Sequence, residues 1–249
     1  MANERLRDAL LRKGLTPEQA ATAIGVDTKT VERWITKGRN PYPKHRHALA
    51  ALLRESEAFL WPDALSPERA VEVATSEVVT VYPHRHTIPR DLWARLLAGA
   101  STEIDILVYA ALFLTEDPGL IKTFRTKAHA GAKIRLLFGD PRSREVAKRS
   151  IEENIGPATI AAKIRNVLTF FLPLTDEPGV EIRLHKTTLY NSIYRFDDDM
   201  FVNTHVYGSM AAHAPVLHLR RLSGGDLFDT YSESFDVIWN ESKPATGTT

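Results

Sequence analysis

Two apolar segments with a helical stretch between them constrain this chain more than any other feature. Residues 103–109 (Glu-Ile-Asp-Ile-Leu-Val-Tyr) and 133–138 (Lys-Ile-Arg-Leu-Leu-Phe) are short and nearly continuously apolar, the pattern of strands covered on both faces. Between them, 118–130 is amphipathic at helical spacing and stops at Gly131. Strand, helix, glycine, strand is a βαβ unit, so the two strands are expected to be parallel neighbours. Ligands of such sheets bind beyond the carboxyl ends of the strands, which points to Tyr109 and to Asp140, Arg142, Ser143 and Arg144.

The alternation continues on both sides of this unit. Residues 78–82 read as a strand and 91–98 as a helix with Leu92, Leu96 and Leu97 inward; 144–171 is helical with an interruption near Gly156-Pro157. Strands are expected at 180–185, 188–196 and 200–207, the last two a hairpin around Asp197-Asp198-Asp199, then at 216–221, followed by a helix at 227–240. The tail 243–249 is expected to be disordered. Upstream, Ser66-Pro67 starts a capped helix through Val73, within a linker and helix over 61–76.

The charge is unevenly placed. Residues 1–54 hold eleven Lys and Arg against five Asp and Glu, whereas the remainder holds 21 basic and 26 acidic residues. A net +6 head on a net −5 body suggests a polyanion-binding module joined to one with another task. The chain has no cysteine, which excludes disulfides, thiolate metal sites and cysteine nucleophiles and fits a reducing cytosol. The longest apolar run, 106–114, is far short of the ~18 residues of a membrane span, and the amino terminus is not a signal peptide, so a cytoplasmic protein with no membrane partner is expected.

The head reads as a set of short helices. Residues 4–13 end at Gly14; Thr16, Pro17 and Gln19 form a capping-box start for a helix to Ile24; Asp27 then caps a helix over 28–37 with Val31, Trp34 and Ile35 inward. Two helices joined by Ile24-Gly25-Val26-Asp27 make a helix-turn-helix, whose second helix lies in the DNA major groove. Thr28, Lys29, Thr30 and Arg33 are the base-reading candidates. The segment 34–46, with Trp34, Gly38-Arg39-Asn-Pro41 and a further helix at 45–54, resembles the Xre-type family of phage-repressor-like domains. That resemblance covers about 3–60 and implies phosphate contacts from Arg39, Lys44 and Arg46. The competing reading is a small helical protein-interaction domain.

The order of elements over 92–239 resembles one half of the phospholipase D superfamily fold, through Ala-Gly-Ala-Lys-Ile-Arg-Leu-Leu at 130–137, His185, and a hairpin ending in an acidic turn. Catalytic members of that superfamily carry His-x-Lys-x4-Asp, with a histidine nucleophile, a phosphate-binding lysine and an orienting acid, and two copies meet across a pseudo-dyad. Here His185 is followed directly by Lys186, and position +7 is Ser192. Counting back from Asp197 instead places Tyr190 and Ser192 where histidine and lysine belong. The resemblance therefore implies a non-catalytic relative that homodimerises, in keeping with paired DNA half-sites.

The expected fold class is α plus α/β: an all-α helix-turn-helix domain over 1–60, then a phospholipase D-like α/β/α domain with a mixed sheet over 77–242. Its emptied pocket is expected to hold a phosphorylated or nucleotide-like effector among Tyr109, Asp140, Arg142, Arg144, His185, Asn191, Arg195, Asn203 and His205. Asn191, Ile193 and Arg195 alternate with Tyr190, Ser192 and Tyr194, so one set or the other faces the pocket. Bland alternatives stand beside these: Arg142 and Arg144 as helix caps or solvated cations, His185-Lys186 as a surface pair, and 203–205 as an edge strand. His84 and His86 share spacing but lack a carboxylate at diagnostic distance, so no metal or cofactor is expected. The functional expectation is a dimeric transcriptional regulator acting on double-stranded DNA. Its rival is a DNA-targeted phosphodiesterase or nuclease with a histidine nucleophile at the dyad, and a third reading is a protein-binding adaptor.

Overall fold

The computed structural model describes residues 2–61, 75–223 and 225–245. The helix expected at 66–73 lies outside them. By its internal contacts the chain divides into two units, Met1–Glu77 with Arg221–Thr230, and Val78–Arg220 with Tyr231–Thr249. The carboxyl-side segment in the first unit was not expected from sequence.

In the first unit, α1 (Glu4–Arg12), α2 (Pro17–Ile24), α3 (Thr28–Lys37), α4 (Pro43–Leu53) and α5 (Glu57–Leu60) surround one apolar core. Leu6, Leu10, Ala20, Val31, Trp34 and Leu49 are buried in it, one residue or two from each turn of helix. The start of α2 is fixed by Thr16 and Gln19, each side chain accepting from the other's backbone N–H. Between α2 and α3 the chain reverses at Gly25, whose φ of 70° is a left-handed conformation that a side chain would oppose. Asp27 then accepts from the Lys29 N–H to open α3. Helix α4 begins at Pro43, two residues before the expected start, because proline supplies the preset φ of a first helical position.

The second unit is built on an eight-stranded sheet: β1 (Val78–Tyr82), β2 (Glu103–Leu107), β3 (Lys133–Gly139), β4 (Val180–His185), β5 (Asn191–Phe196), β6 (Asp199–Thr204), β7 (Val216–Arg220) and β8 (Lys243–Pro244), in the order β1-β7-β6-β5-β2-β3-β4-β8. The expected βαβ unit is present: β2, β3 and β4 run parallel, with Ile106 beside Leu136 and Leu136 beside Ile182. All other pairings are antiparallel, so the sheet is mixed. The helices are α6 (Arg90–Gly99), α7 (Leu120–His129), α8 (Arg144–Glu152), α9 (Thr159–Phe171) and α10 (Leu227–Glu241).

Side-chain alternation shows why both faces of the sheet are covered. On one face Tyr194, Phe196 and Phe201 meet Trp93 of α6, while Phe138 stacks on Phe171 of α9, which in turn stacks on Phe124 of α7. On the other, Arg135 lies under Phe235 and Trp239 of α10. This is a three-layer α/β/α arrangement with buried strands at its centre.

Several boundaries differ from expectation for identifiable reasons. β5 begins at Asn191 rather than 188, because the Leu189 N–H is taken by the Tyr109 hydroxyl instead of a neighbouring strand. β2 stops at Leu107, and β6 stops at Thr204, where His205 N–H turns to the Tyr190 carbonyl. Of the tail expected to be disordered, Lys243 and Pro244 instead pair with Leu184 and Arg183 at the sheet edge, and 246–249 lie outside the described residues.

Candidate functional site

The α2–α3 pair presents a defined cationic surface. With Val31, Trp34 and Ile35 turned into the core, helical periodicity sends Lys29 and Arg33 outward, and both are exposed; Thr28 and Thr30 are half-buried beside them. Arg39 and Lys44 are exposed in the following loop and first turn of α4. None of these four cations has an ion-pair partner among the described residues. Arg46 differs from its expected place as a phosphate contact. Its guanidinium is drawn inside the domain, with Nε donating to Glu57 at 3.1 Å and Nη1 to the Pro41 carbonyl at 3.2 Å.

In the second unit, polar side chains converge where β2 and β4 end and β5 begins. Tyr109, just past β2, is 7% exposed; its hydroxyl accepts from the Leu189 N–H at 3.0 Å, and its ring stacks on His205 at 5.6 Å and lies 5.8 Å from His185. Burial pushes the phenol up from its ordinary range. His185, 2% exposed, donates from Nε2 to the Val108 carbonyl at 3.1 Å and accepts at Nδ1 from the Thr187 N–H at 3.3 Å. His205 donates from Nδ1 to the Leu189 carbonyl at 3.1 Å, which leaves Nε2 to accept from the Ser192 hydroxyl at 3.0 Å. Burial holds both imidazoles down, each to about 4, so both are neutral at pH 7.

The partners of these groups fix which side of β5 faces the cluster. Ser192 and Tyr194 belong to the face of Tyr109 and His205, whereas Arg195 belongs to the opposite face, where its guanidinium reaches Glu103 at 2.8 Å and Asp105 at 3.5 Å. Arg195 is therefore not a lining residue, and Asn191, half-buried and of the same parity, goes with it. Asn203 does stand beside Ser192 across the β5–β6 ladder, but it is sealed at 0% exposure and its amide donates to the Pro215 carbonyl at 3.2 Å.

Asp140, 5% exposed, follows β3 and takes the Arg142 N–H at 2.9 Å, the Arg142 Nε at 3.2 Å and Lys186 Nζ at 3.7 Å. Burial would raise this carboxyl, but the hydrogen bonds from Arg142 and the charges of Arg142 and Lys186 outweigh it and leave the group below its ordinary range. Arg142 and Lys186 remain largely exposed while reaching Asp140, and Arg144 is extended in solvent. The cap of α8 is Ser143, not either arginine.

Sequence reading passed over two members of the cluster. Ser192, in sequence a motif position and a member of one of the two alternating sets but not a named ligand candidate, carries the hydrogen bond that occupies His205. Arg149, 4% exposed, donates to Glu153 at 2.9 Å and to the Ser209 carbonyl at 2.8 Å, and its charge helps keep His205 neutral. Its i, i+3 and i, i+4 glutamates were visible as a pattern, but the long-range carbonyl was not.

Asp197 has a third role. In the hairpin between β5 and β6 it adopts φ 52°, and its carboxylate accepts from Ser101 N and Oγ, Thr102 N and Oγ1, and Glu103 N at 2.7–3.1 Å. These bonds overcome burial and hold the carboxyl at about 2. The acid at this turn is a clamp on the start of β2. His84 and His86 lie at and within a short 3-10 turn rather than on a strand, their rings stacked at 5.3 Å.

The sequence profile of the family described as Domain of unknown function (DUF5919) matches residues 74–246. A search of curated protein sequences gave no match. Among solved structures, the chain is similar to TrmBL2, an archaeal chromatin protein with a novel mode of DNA binding, at 16% identity and a TM-score of 0.40 over 72% of this chain and 60% of that one. It thus spans about 60% of the length of TrmBL2. It is also similar to Nuc, a phospholipase D family member from Salmonella typhimurium (13% identity, TM-score 0.37, 64% and 91% covered), and to NucT from Helicobacter pylori (11%, 0.42, 67% and 98%).

Proposed function

The chain belongs to the family described as Domain of unknown function (DUF5919), and for this member we propose a DNA-binding transcriptional regulator whose sheet domain is a phospholipase D-like module without phosphodiesterase chemistry. The observation that carries the DNA reading is the α2–α3 pair, with four exposed cations at Lys29, Arg33, Arg39 and Lys44 that have no ion-pair partner among the described residues, beside a capped recognition helix. Cations free of carboxylates are available to phosphates, and Lys29 and Arg33 can reach base edges from the first turns of a groove-lying helix.

The lone pairs of the two buried histidines speak against hydrolysis. A nucleophilic histidine needs an unshared imidazole nitrogen next to a phosphate-binding cation. In His185 that nitrogen accepts from Thr187, and in His205 it accepts from Ser192. Lys186 is turned to Asp140 instead. The cluster instead serves as the floor of an effector site, with Arg142, Arg144 and Lys186 supplying positive charge for a phosphorylated or nucleotide-like ligand. Exposed Tyr190, Val206, Tyr207 and Met210 border the same end and form the surface through which two copies pair. Ligand binding then shifts the dimer between arrangements of differing operator affinity.

Selection of bound duplexes from a random library, followed by fluorescence anisotropy at about 50 and 200 mM salt, tests this. The expected result is a two-half-site operator with affinity falling at least ~100-fold over that range, as several phosphate contacts require. Arg33→Ala should relax base preference at one position per half-site, and Lys44→Ala should weaken all sequences alike. No enrichment of any duplex sinks the regulator reading; hydrolysis of bis-p-nitrophenyl phosphate that is lost in His205→Ala would replace it with the phosphodiesterase.

A further inference from the structure

A cavity of about 550 Å³ lies on the α6 side of the sheet, apart from the Tyr109 cluster. This is within the ~300–1,000 Å³ of small-molecule sites. Ile88, Trp93, Ile106, Phe113, Phe124 and Phe196 form its apolar walls. The aromatic side is assembled in advance: Trp93 meets Phe113, Tyr194 and Phe196 edge to face at 5.6, 5.1 and 6.2 Å. Helix α6 buries none of its residues fully, and its Ala94 and Leu97 also line the cavity, so an apolar helix face is turned toward open space.

The polar groups lining it include Arg85, His86, Arg90, Glu116 and Asp117. Asp117 is occupied by the Gly119 N–H at 2.8 Å, and His86 Nδ1 by the Ala212 carbonyl at 2.9 Å. Arg85 stands apart. Its Nε is buried with no hydrogen-bond partner, it has no ion pair among the described residues, and its guanidinium carbon lies 3.8 Å from the centre of the Phe113 ring. A guanidinium held over an aromatic ring is fixed in place, and its terminal Nη groups, with no ion pair among the described residues, suit a planar oxyanion.

We propose that this cavity binds an aromatic organic anion, a small fused or single ring bearing one carboxylate, with the ring among Trp93, Phe113 and Phe196 and the carboxylate on Arg85. The site is separate from the phosphorylated-ligand site above, and its test uses no DNA. Full-length protein is titrated with 1-anilinonaphthalene-8-sulfonate by fluorescence, and the bound dye is competed with 2-naphthoate, 2-naphthamide and laurate. One saturable site per chain is expected, with 2-naphthoate displacing the dye at least ~10-fold better than the neutral amide, the discrimination one charge-assisted hydrogen bond gives. Laurate should be the weaker competitor.

Leu97→Trp fills the cavity and should abolish dye binding, with Ala94→Trp as the independent filling variant if the first does not fold by circular dichroism. Arg85→Gln should weaken the sulfonate dye as well as naphthoate and reduce the preference for carboxylate over amide to under ~2-fold. Equal displacement by naphthoate and naphthamide in the unaltered protein overturns the anion assignment, tighter displacement by laurate overturns the aromatic one, and dye binding that survives both filling variants overturns the site.

Discussion

Replacing Asp197 by asparagine probes whether the acidic turn is a structural clamp. Asparagine tolerates the left-handed φ of 52° at this position, so the turn conformation is retained and the carboxylate alone is lost. Five donors from Ser101, Thr102 and Glu103 then face an amide with one acceptor oxygen and two competing N–H groups. The carboxyl sits near 2 against an ordinary 3.8, and at ~1.36 kcal/mol per pH unit that difference is an upper bound of about 2.4 kcal/mol. Most of the donors are partly solvated, so screening reduces the expected cost to roughly 1–1.5 kcal/mol, a fall of about 3–5 °C in the melting of the sheet domain.

The pH dependence carries the sharper test. A carboxyl whose folded pKa is depressed contributes its stability above the unfolded value and loses it as pH falls toward the folded one. Calorimetry of the two proteins should therefore show the full difference at pH 7 and pH 5 and a shrinking one below about pH 4. Melting points within 1 °C of each other at pH 7, or a gap as wide at pH 2.5 as at pH 7, would refute the clamp.

Two further expectations concern buried charge. Arg135 binds both oxygens of Asp105, at 2.6 and 2.7 Å, and also reaches Glu103 and Asp236, so Arg135→Met leaves a carboxylate that is 1% exposed with only the longer 3.5 Å contact to Arg195; the urea midpoint should report a loss of about 3 kcal/mol, and adding Asp105→Leu should restore most of it. No recovery in the double variant would show that packing, not ion pairing, sets the cost. His185 and His205, held near 4 against 6.5 unfolded, should remain neutral by NMR down to about pH 5 and should make stability decline as pH falls from about 6.5 toward 4, because the unfolded chain binds more protons there. A midpoint near 6.5 for either ring, assigned through His185→Gln and His205→Gln, would contradict the closed hydrogen-bond arrangement.

Local pattern carried the sequence reading as far as local pattern reaches. Thr16 with Gln19, Asp27 before α3, and Gly25 between the two helices are decided within a few residues, and the structure places each where the spacing put it. The parallel β2–β3 pair followed from two apolar runs and an intervening helix, because a buried strand must be apolar on both faces. Long-range partners were not legible. Nothing near Arg46 announces Glu57, and nothing near Arg195 announces Asp105, yet those contacts remove both from the surfaces they were assigned to. The phase of β5 was undecidable because residues 190–195 alternate two polar sets, and only the position of His205 selects Ser192. Glu77 shows the same limit: fully buried, it accepts from the Leu227 and Phe228 N–H groups and caps α10 from 150 residues away, a cap without a sequence signature.

Tyr194 bears on how the two proposed ligand sites would act on each other. Its ring stands edge-on to Trp93 and Phe113, on the aromatic side of the cavity, and two residues back along the same face of β5 is Ser192, whose hydroxyl donates to His205, itself stacked on Tyr109. Trp93 and Phe113 cannot repack around a bound ring without moving Tyr194, because interiors are close-packed. A displaced Tyr194 shifts Ser192 along the same strand and alters the one hydrogen bond that holds His205 Nε2. The coupling is reciprocal, so a phosphorylated ligand at the Tyr109 cluster and an aromatic acid in the cavity must change each other's affinity by the same factor. Tyr194→Leu removes the aromatic contacts to Trp93 and Phe113; with it, naphthoate should still bind while its effect on the imidazole resonance of His205 disappears. An effect that persists in Tyr194→Leu would mean the two sites communicate by a route that bypasses this ring.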